Sequence, residues 1–296
     1  MKTKRKNKLL HKLCLFAVIV ATVGLALIVA GRRNLQNESD MEIDPHLGMV
    51  EVFNGNSNIW IIPEEGVPVN PFGKGDFTAD ENGEPCYNGT DFATFRGVDV
   101  SEHQGDIDWS RVKQSGIDFA IIRVGGRGYG ENGKLVADEK FEENLEGAKA
   151  AGLKVGVYFF SQAINTEEAE EEARFALELI NDAELQLPVY FDWEHIVVGE
   201  PARTDNISGT TATDCAMAFC DTVSAAGYKT GIYTNLDMSY YAYTMERLAD
   251  YGFWTAAVGS YPYSYYDFSV WQYSFEGDVP GINAPCDMDM MFVKYS

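Results

Sequence analysis

The strongest constraint on the fold lies from Gly97 onward, where short apolar runs alternate with helix-patterned stretches. The runs are "GVDVS", "DFAIIRV", "KVGVYFF", "PVYFDWE", "KTGIYTN", "FWTAAV", "SVWQY" and "MDMMFV". They are rich in β-branched and aromatic residues and short enough to be strands. Between them, "ADEKFEENLEGAKAAGL" puts Phe141, Leu145 and Ala148 on one helical stripe. "TEEAEEEARFALELI" does the same with Ala169, Ala173, Leu177 and Ile180, and Thr166 is its expected N-cap. "TTATDCAMAFCDTVSAAG" and "DMSYYAYTMERLADYG" also read as helices, each closed by a glycine. Strands with interspersed helices predict a parallel α/β barrel, with a doubly wound open sheet as the competing arrangement. The later strands follow one another closely, so the last helices are expected to be missing.

Acidic residues fall at particular places in this pattern. In "PVYFDWEH", Asp192 and Glu194 are two residues apart and share one face of a strand, with Phe191, Trp193 and His195 on the other. They sit at the strand's C-terminal end, where the loops of a parallel barrel converge. "GVDVSEHQG" puts Asp99 at the end of the first strand, and "PCDMDMMF" puts Asp287 and Asp289 on one face of the last. Closure of a barrel brings the first strand beside the last, so Asp99, Asp192, Glu194 and Asp287 converge on one mouth. Clustered carboxyls in a partly apolar setting hold one another's protons, one neutral while its neighbour is ionised. Glycoside hydrolysis needs such a pair. Each acid alone also reads as a cap, a turn former or a solvated edge residue, and acidic clusters also bind Ca²⁺. Aromatic residues cluster near the same strand ends. Most are core, and Tyr158, Tyr233 and Trp271 are the candidates for packing against a sugar ring.

Composition narrows the partners. The formal net charge of −22 excludes a phosphate-binding surface, so no nucleic acid is expected. Positive charge is concentrated in the basic segment 1–12, "MKTKRKNKLLHK". Residues 13–31 then carry no charge, and as a helix they would span about 28 Å, close to a bilayer core. They are expected to form a single-pass membrane anchor with the basic tail cytoplasmic and the remainder outside. A cleaved signal peptide is the alternative. Residues 32–95, rich in Asn, Gly, Pro, Asp and Glu, read as an extracytoplasmic linker, and 96–296 as the barrel. Cys86, Cys215, Cys220 and Cys286 would lie outside, where four cysteines allow three pairings.

Taken in order, "RGVDVSEHQGDIDWSRVKQSGIDFAIIRVGGRGY", "FEENLEGAKAAGLKVGVYFFSQAINTEEAEEEA", "LPVYFDWE", "GIYTN" and "VWQYSFEGDVPGINAPCDMDMMF" resemble the glycoside hydrolase family 25 lysozymes. The resemblance runs from about Gly97 to the end. It implies an irregular TIM-like (β/α)5(β)3 barrel and a muramidase that cleaves the β-1,4 bond between N-acetylmuramic acid and N-acetylglucosamine in peptidoglycan glycan strands. Glu194 matches the family's general acid, Asp192 the first acid of its D-x-E motif, and Asp99 and Asp287 the acids of its first and last strands. Two retaining mechanisms remain open: attack by the substrate's own acetamido oxygen, with Asp192 orienting that group, or attack by an aspartate. No metal or cofactor is implied. Phe159 stands where many members have His, which would remove a polar sugar contact, and Asp289 where some have Asn, which would add charge. A catalytically inactive wall-binding or scaffold protein of the same fold is the alternative function.

Overall fold

The computed structural model describes residues 44–196 and 201–295. The expected anchor at 13–31 and the basic tail lie outside the described residues. Among the described residues, no helix is long and apolar enough to cross a membrane.

Two antiparallel pairs come first: β1 (Val50–Phe53) with β2 (Asn58–Ile61), and β3 (Phe77–Ala79) with β4 (Pro85–Tyr87). Then follow β5 (Phe92–Val100), α1 (Trp109–Gln114), β6 (Phe119–Arg127), β7 (Leu135–Ala137), α2 (Phe141–Ala150), β8 (Lys154–Ser161), α3 (Thr166–Ile180), β9 (Val189–Trp193) and α4 (Gly209–Ala225). The chain continues through β10 (Thr230–Asn235), α5 (Met245–Leu248), β11 (Gly252–Ala256), β12 (Val270–Gly277) and β13 (Cys286–Lys294).

The eight expected strand runs are β5, β6, β8, β9, β10, β11, β12 and β13, and they close into a barrel in that order, with β13 returning to β5. Pairing from β5 through β12 is parallel, whereas β12–β13 and β13–β5 are antiparallel. The wholly parallel expectation is thus corrected to a mixed barrel. The connection from Gly277 to Cys286 is too short for the crossover of about a dozen residues that a parallel neighbour needs, so β13 reverses direction. Helices follow β5, β6, β8, β9 and β10, and none lies between β11 and β13.

Strand alternation divides the core in two. Phe95, Phe119, Ile121, Tyr158, Tyr190, Tyr233, Trp254, Val270 and Met291 fill the barrel. Phe191, Trp193, Phe159 and Trp271 belong to the layer outside it. Gly97 in β5 is required by this filling, because a Cβ there would lie 2.2 Å from the Phe119 ring.

Local signals were met unevenly. α3 is capped by Asn165, whose side chain accepts from the Glu168 amide, not by Thr166. "DMSYYAYTMERLADYG" forms a single wide turn at Met238–Ala242 and the short α5 instead of one helix. The break falls at Thr244, which is extended and gives its amide to Thr213 Oγ1 of α4. All four described cysteines are free.

The stretch expected as a linker is, from residue 50 on, packed structure. No helix lies between β11 and β13, and the N-terminal segment packs on the outer face of β12 and β13 and beside the first half of β5. The Phe72 ring lies 4.3 Å from Phe292, and Phe77 meets Trp271 edge-on at 5.4 Å. Arg96 of β5 pairs with Asp80 and Glu84 of the β3–β4 hairpin. Asn70 donates to the carbonyls of Pro262 and Ser264, and Val69 bridges to Tyr266. Polar composition hid this role because a few aromatics, placed over an otherwise bare sheet, bury enough apolar surface to order the segment.

Candidate active site

Alternation along each strand decides what enters the barrel mouth. On β5, the positions Phe95, Gly97 and Asp99 face inward, and on β13 Met291, Asp289 and Asp287. On β12 it is Val270 and Gln272, and on β9 Tyr190 and Asp192, followed just beyond the strand by Glu194. Apolar rings fill the lower levels and polar groups cap them. Asp287 sits directly opposite Asp99 in the β5–β13 ladder, and Asp192 is in register with Tyr233 of β10.

One glutamine ties the cluster together. Gln272 Nε2 donates to Asp99 Oδ2 at 2.8 Å and to Asp287 Oδ2 at 3.1 Å, while its Oε1 accepts from the Tyr233 hydroxyl at 2.8 Å. Trp254 Nε1 donates to Asp289 Oδ1 at 2.8 Å. Asn235 Nδ2, at the end of β10, reaches Glu194 Oε2 at 3.5 Å. Asp192 is 5 % exposed, and its Oδ1 is buried without a protein hydrogen-bond partner.

These surroundings push protons onto the carboxyls. Burial raises Glu194 above the ordinary glutamate range; the Asn235 amide opposes this and the charge of Asp287 adds to it. Burial, then the neighbouring Glu194, hold Asp192 well above its usual range, against the pull of Arg123. Asp287 is raised by burial to about 6. Asp99 is raised well above its usual range by burial and by the charges of Asp289 and Asp287. Arg123 is fixed at the rim by Glu102 at 2.9 Å and Asp138 at 2.7 Å.

A second polar system supports Glu194 from behind. Gln162 Nε2 donates to the Glu194 carbonyl at 3.3 Å, and its Oε1 accepts from Thr204. The Gln162 amide reaches Glu172, which is buried on α3 between Ser161 and Arg127. Trp193 Nε1 donates to the Ala163 carbonyl. The strand end is thereby held by side chains on both sides.

The structure brings Asp99, Asp192, Glu194 and Asp287 to one mouth. Tyr158 and Tyr233 enter the same interior; Tyr158 packs edge-on against Trp254 at 5.8 Å, and the Tyr233 hydroxyl is committed to Gln272. Trp271 is the exception. It is 0 % exposed, points outward because its neighbour Gln272 points inward, and gives its Nε1 to the Ala257 carbonyl. It packs under the N-terminal segment and does not contact a ligand in the mouth. Phe159 faces the helices beside Phe175 and Phe219, so its departure from His concerns packing and not the sugar. Sequence reasoning missed Gln272, Asn235 and Gln162. Gln272 was open to discovery, since "VWQY" sets one polar residue among three apolar ones in the buried first half of the strand.

The family model described as glycosyl hydrolases family 25 matches residues 98–282, more than half of the chain. The chain belongs to that family. Its barrel is the lysozyme-type glycoside hydrolase domain of glycosyl hydrolases family 25. It is 27 % identical over 195 residues to the autolytic lysozyme of Clostridium acetobutylicum, covering 66 % of this chain and 55 % of that protein. The chain thus spans about half the length of that relative. It is 25 % identical over 212 residues to the uncharacterized protein YegX of Escherichia coli K12, covering 67 % of this chain and 69 % of YegX. The fold matches a family 25 glycosyl hydrolase from Bacillus anthracis with a TM-score of 0.56 at 21 % identity, covering 67 % of this chain and 88 % of that one. It also matches the modular autolysin LytC of Streptococcus pneumoniae, solved with a synthetic peptidoglycan ligand, with a TM-score of 0.57 at 23 % identity, over 83 % of this chain and 57 % of LytC.

Proposed function

We propose that this family 25 barrel is a muramidase that hydrolyses the β-1,4 bond between N-acetylmuramic acid and N-acetylglucosamine in peptidoglycan, with retention. The observation that carries this reading is the pair on β9: Glu194, half-buried with its proton favoured, beside the buried Asp192 on the same face of the strand. Glu194 is the general acid and delivers its proton to the leaving glycosidic oxygen. The unpartnered Asp192 Oδ1 supports the substrate-assisted route. A buried carboxylate oxygen with a vacant lone pair is matched by the N–H of an acetamido group, whose carbonyl oxygen would then be aimed at the anomeric carbon. Attack forms an oxazolinium ion, and water opens it from the face the leaving group left. Glu194, now ionised, takes the water's proton. Asp99 and Asp287, bridged by Gln272, line the opposite side of the mouth and bind the sugar's polar groups.

We further propose that residues 13–31 anchor the enzyme in the membrane with the barrel on the side facing the wall. The basic 1–12 segment and the uncharged run after it support this orientation. Separation of membranes from a soluble extract, followed by mass measurement of the mature N-terminus, distinguishes an anchor from a cleaved signal.

The test of activity is to incubate the full chain with purified peptidoglycan, reduce the products with borohydride and identify the new ends, with Glu194→Gln run alongside. Reduced muramic acid ends from the wild type alone are expected. New N-acetylglucosamine ends would move the cut to the other bond, and wall binding without release by the folded wild type would replace the enzyme with a binding protein.

A further inference from the structure

Asp289 is a carboxyl that the proposed chemistry does not use. It lies on β13, two residues before Met291 and two after Asp287, and is 0 % exposed. Its ladder partners are Gln272 on β12 and Gly97 on β5. Gly97 has no side chain, so the space above it on β5 belongs to Asp99. Trp254 Nε1 occupies Asp289 Oδ1, while Oδ2 is buried and meets no N–H or hydroxyl donor. Asp99, two residues beyond Gly97 on β5, accepts from Gln272 through Oδ2. Its carboxyl is in hydrogen-bonding contact with that of Asp289.

An ionised carboxyl only accepts hydrogen bonds, so two of them in contact in a buried site require a proton between them. We infer that Asp99 and Asp289 share a single proton, with Asp99 as donor, and that Asp289 is a positioning residue that keeps Asp99 neutral in the resting enzyme. The groups facing the pair do not supply a competing charge. Asp287 on β13 and Asp192 and Glu194 at the end of β9 are acids, which favour retention of the proton. Tyr190 on β9, Tyr158 on β8 and Tyr233 on β10 are held neutral, their hydroxyls raised by burial. Arg123 on β6 is committed to Glu102 and Asp138. Burial also lifts Asp289 to about 8, in keeping with a pair that holds its proton at neutrality.

The chemical consequence rests on the muramidase reading. A neutral Asp99 is not a nucleophile; its one proton is held toward Asp289, so it offers the mouth only a neutral acceptor opposite the Asp192–Glu194 pair, and the mouth carries one negative charge fewer than its number of acids suggests.

The test does not require turnover. The neutral-carboxyl C=O band of the full-chain protein is measured by infrared spectroscopy in wild type, Asp289→Asn, Asp99→Asn and the double variant at neutral pH. An asparagine at either position keeps the shape and supplies the missing donor, so each single variant is expected to lose the intensity of one neutral carboxyl. The double variant is expected to lose no more than one, because one proton served both groups. Loss of two in the double variant would mean that each acid holds its own proton, and no loss in the double variant would mean that both are ionised; each overturns the inference. Circular dichroism identifies a variant that fails to fold, and a double variant that fails is replaced by Asp99→Ser combined with Asp289→Asn, read in the same way. Absence of muramidase activity with the shared band intact would sink the functional reading and leave the proton pair standing.

Discussion

Asp287 and Asp99 stand opposite each other on the β13–β5 ladder, and the Gln272 amide donates to both. This is the tie that antiparallel closure makes possible, since β12 and β5 flank the same strand. Gln272→Leu removes two hydrogen bonds to acids and leaves the Tyr233 hydroxyl without its acceptor. Asp99 is held neutral, so only the bond to Asp287 is to a group that ionises; such a bond is worth about 1.5–3 kcal/mol, and kcat/KM on peptidoglycan is expected to fall by about 10–100-fold with the secondary structure retained. Circular dichroism and a dye-release assay on labelled wall check this. Unchanged activity would show that the glutamine serves packing alone.

The buried acids of the mouth should weaken the fold as pH rises. Asp192, Glu194, Asp99, Asp287 and Asp289 all have folded-state pKa values raised by burial, Asp287 to about 6 and Asp289 to about 8. A carboxyl raised in the folded state binds more protons there than in the unfolded chain. Its contribution is therefore full below the unfolded pKa and is lost as pH rises through the folded value. Thermal stability is expected to decline from about pH 5 to about pH 8. Asp192→Asn, which removes one of these charges at constant shape, is expected to gain roughly 1 kcal/mol at about pH 8, on the scale of such function-relieving replacements. For a domain this size that is a rise of about 2–4 °C. Calorimetry on both proteins across this range measures it, and a Tm that climbs with pH would refute the assignment.

Phe77 tests whether the N-terminal segment belongs to the barrel. Its ring is buried against Trp271, Phe72 and Tyr87. Phe77→Ala leaves a cavity and is expected to cost about 3–5 kcal/mol, seen as a lowered Tm and as proteolytic cleavage near residues 77–87. A segment acting only as a tether would give neither effect.

The strands and the four acids were legible because both obey short periods. β-branched runs announced the strands, and a spacing of two put Asp192 with Glu194 and Asp287 with Asp289 on common faces. The same rule, followed one step further, would have turned Trp271 outward once Gln272 was placed inward. What the sequence hid depends on distant partners. Thr244 ends a helical pattern because Thr213 takes its amide. The polar 50–95 stretch orders because β12 and β13 bring no helix of their own to cover their outer face. Gln272 acquires its role only when strands far apart in sequence become neighbours.

The cysteines offer an inexpensive check. All four described cysteines are free, with Cys215, Cys220 and Cys286 buried and Cys86 partly exposed. Burial raises the Cys215 and Cys286 thiols to about 12, so neither forms thiolate near neutrality. Reductant is expected to leave Tm and activity unchanged. Iodoacetamide should label Cys86 well ahead of the other three, as read by peptide mass spectrometry. A shift in Tm with dithiothreitol would mean that a disulfide forms.

Glu194 should set the alkaline limb of the pH–activity profile, and Asn235 should tune it. In the proposed role of general acid Glu194 must be protonated, so activity is expected at low pH and lost as pH rises through its folded value. Asn235 Nδ2 donates to Glu194 Oε2 and stabilises the ionised form, which lowers the raised pKa. Asn235→Leu removes that donor at similar volume. The burial and the Asp287 charge that favour the proton remain. The alkaline limb of kcat/KM is therefore expected to move to higher pH, while Glu194→Gln abolishes the reaction across the whole range, a loss on the order of 10²–10⁴-fold. Rates on solubilised glycan fragments across the pH range measure both. A limb that stays in place in Asn235→Leu would assign it to another carboxyl in the mouth, and a limb that moves to lower pH would reverse the role given to the asparagine.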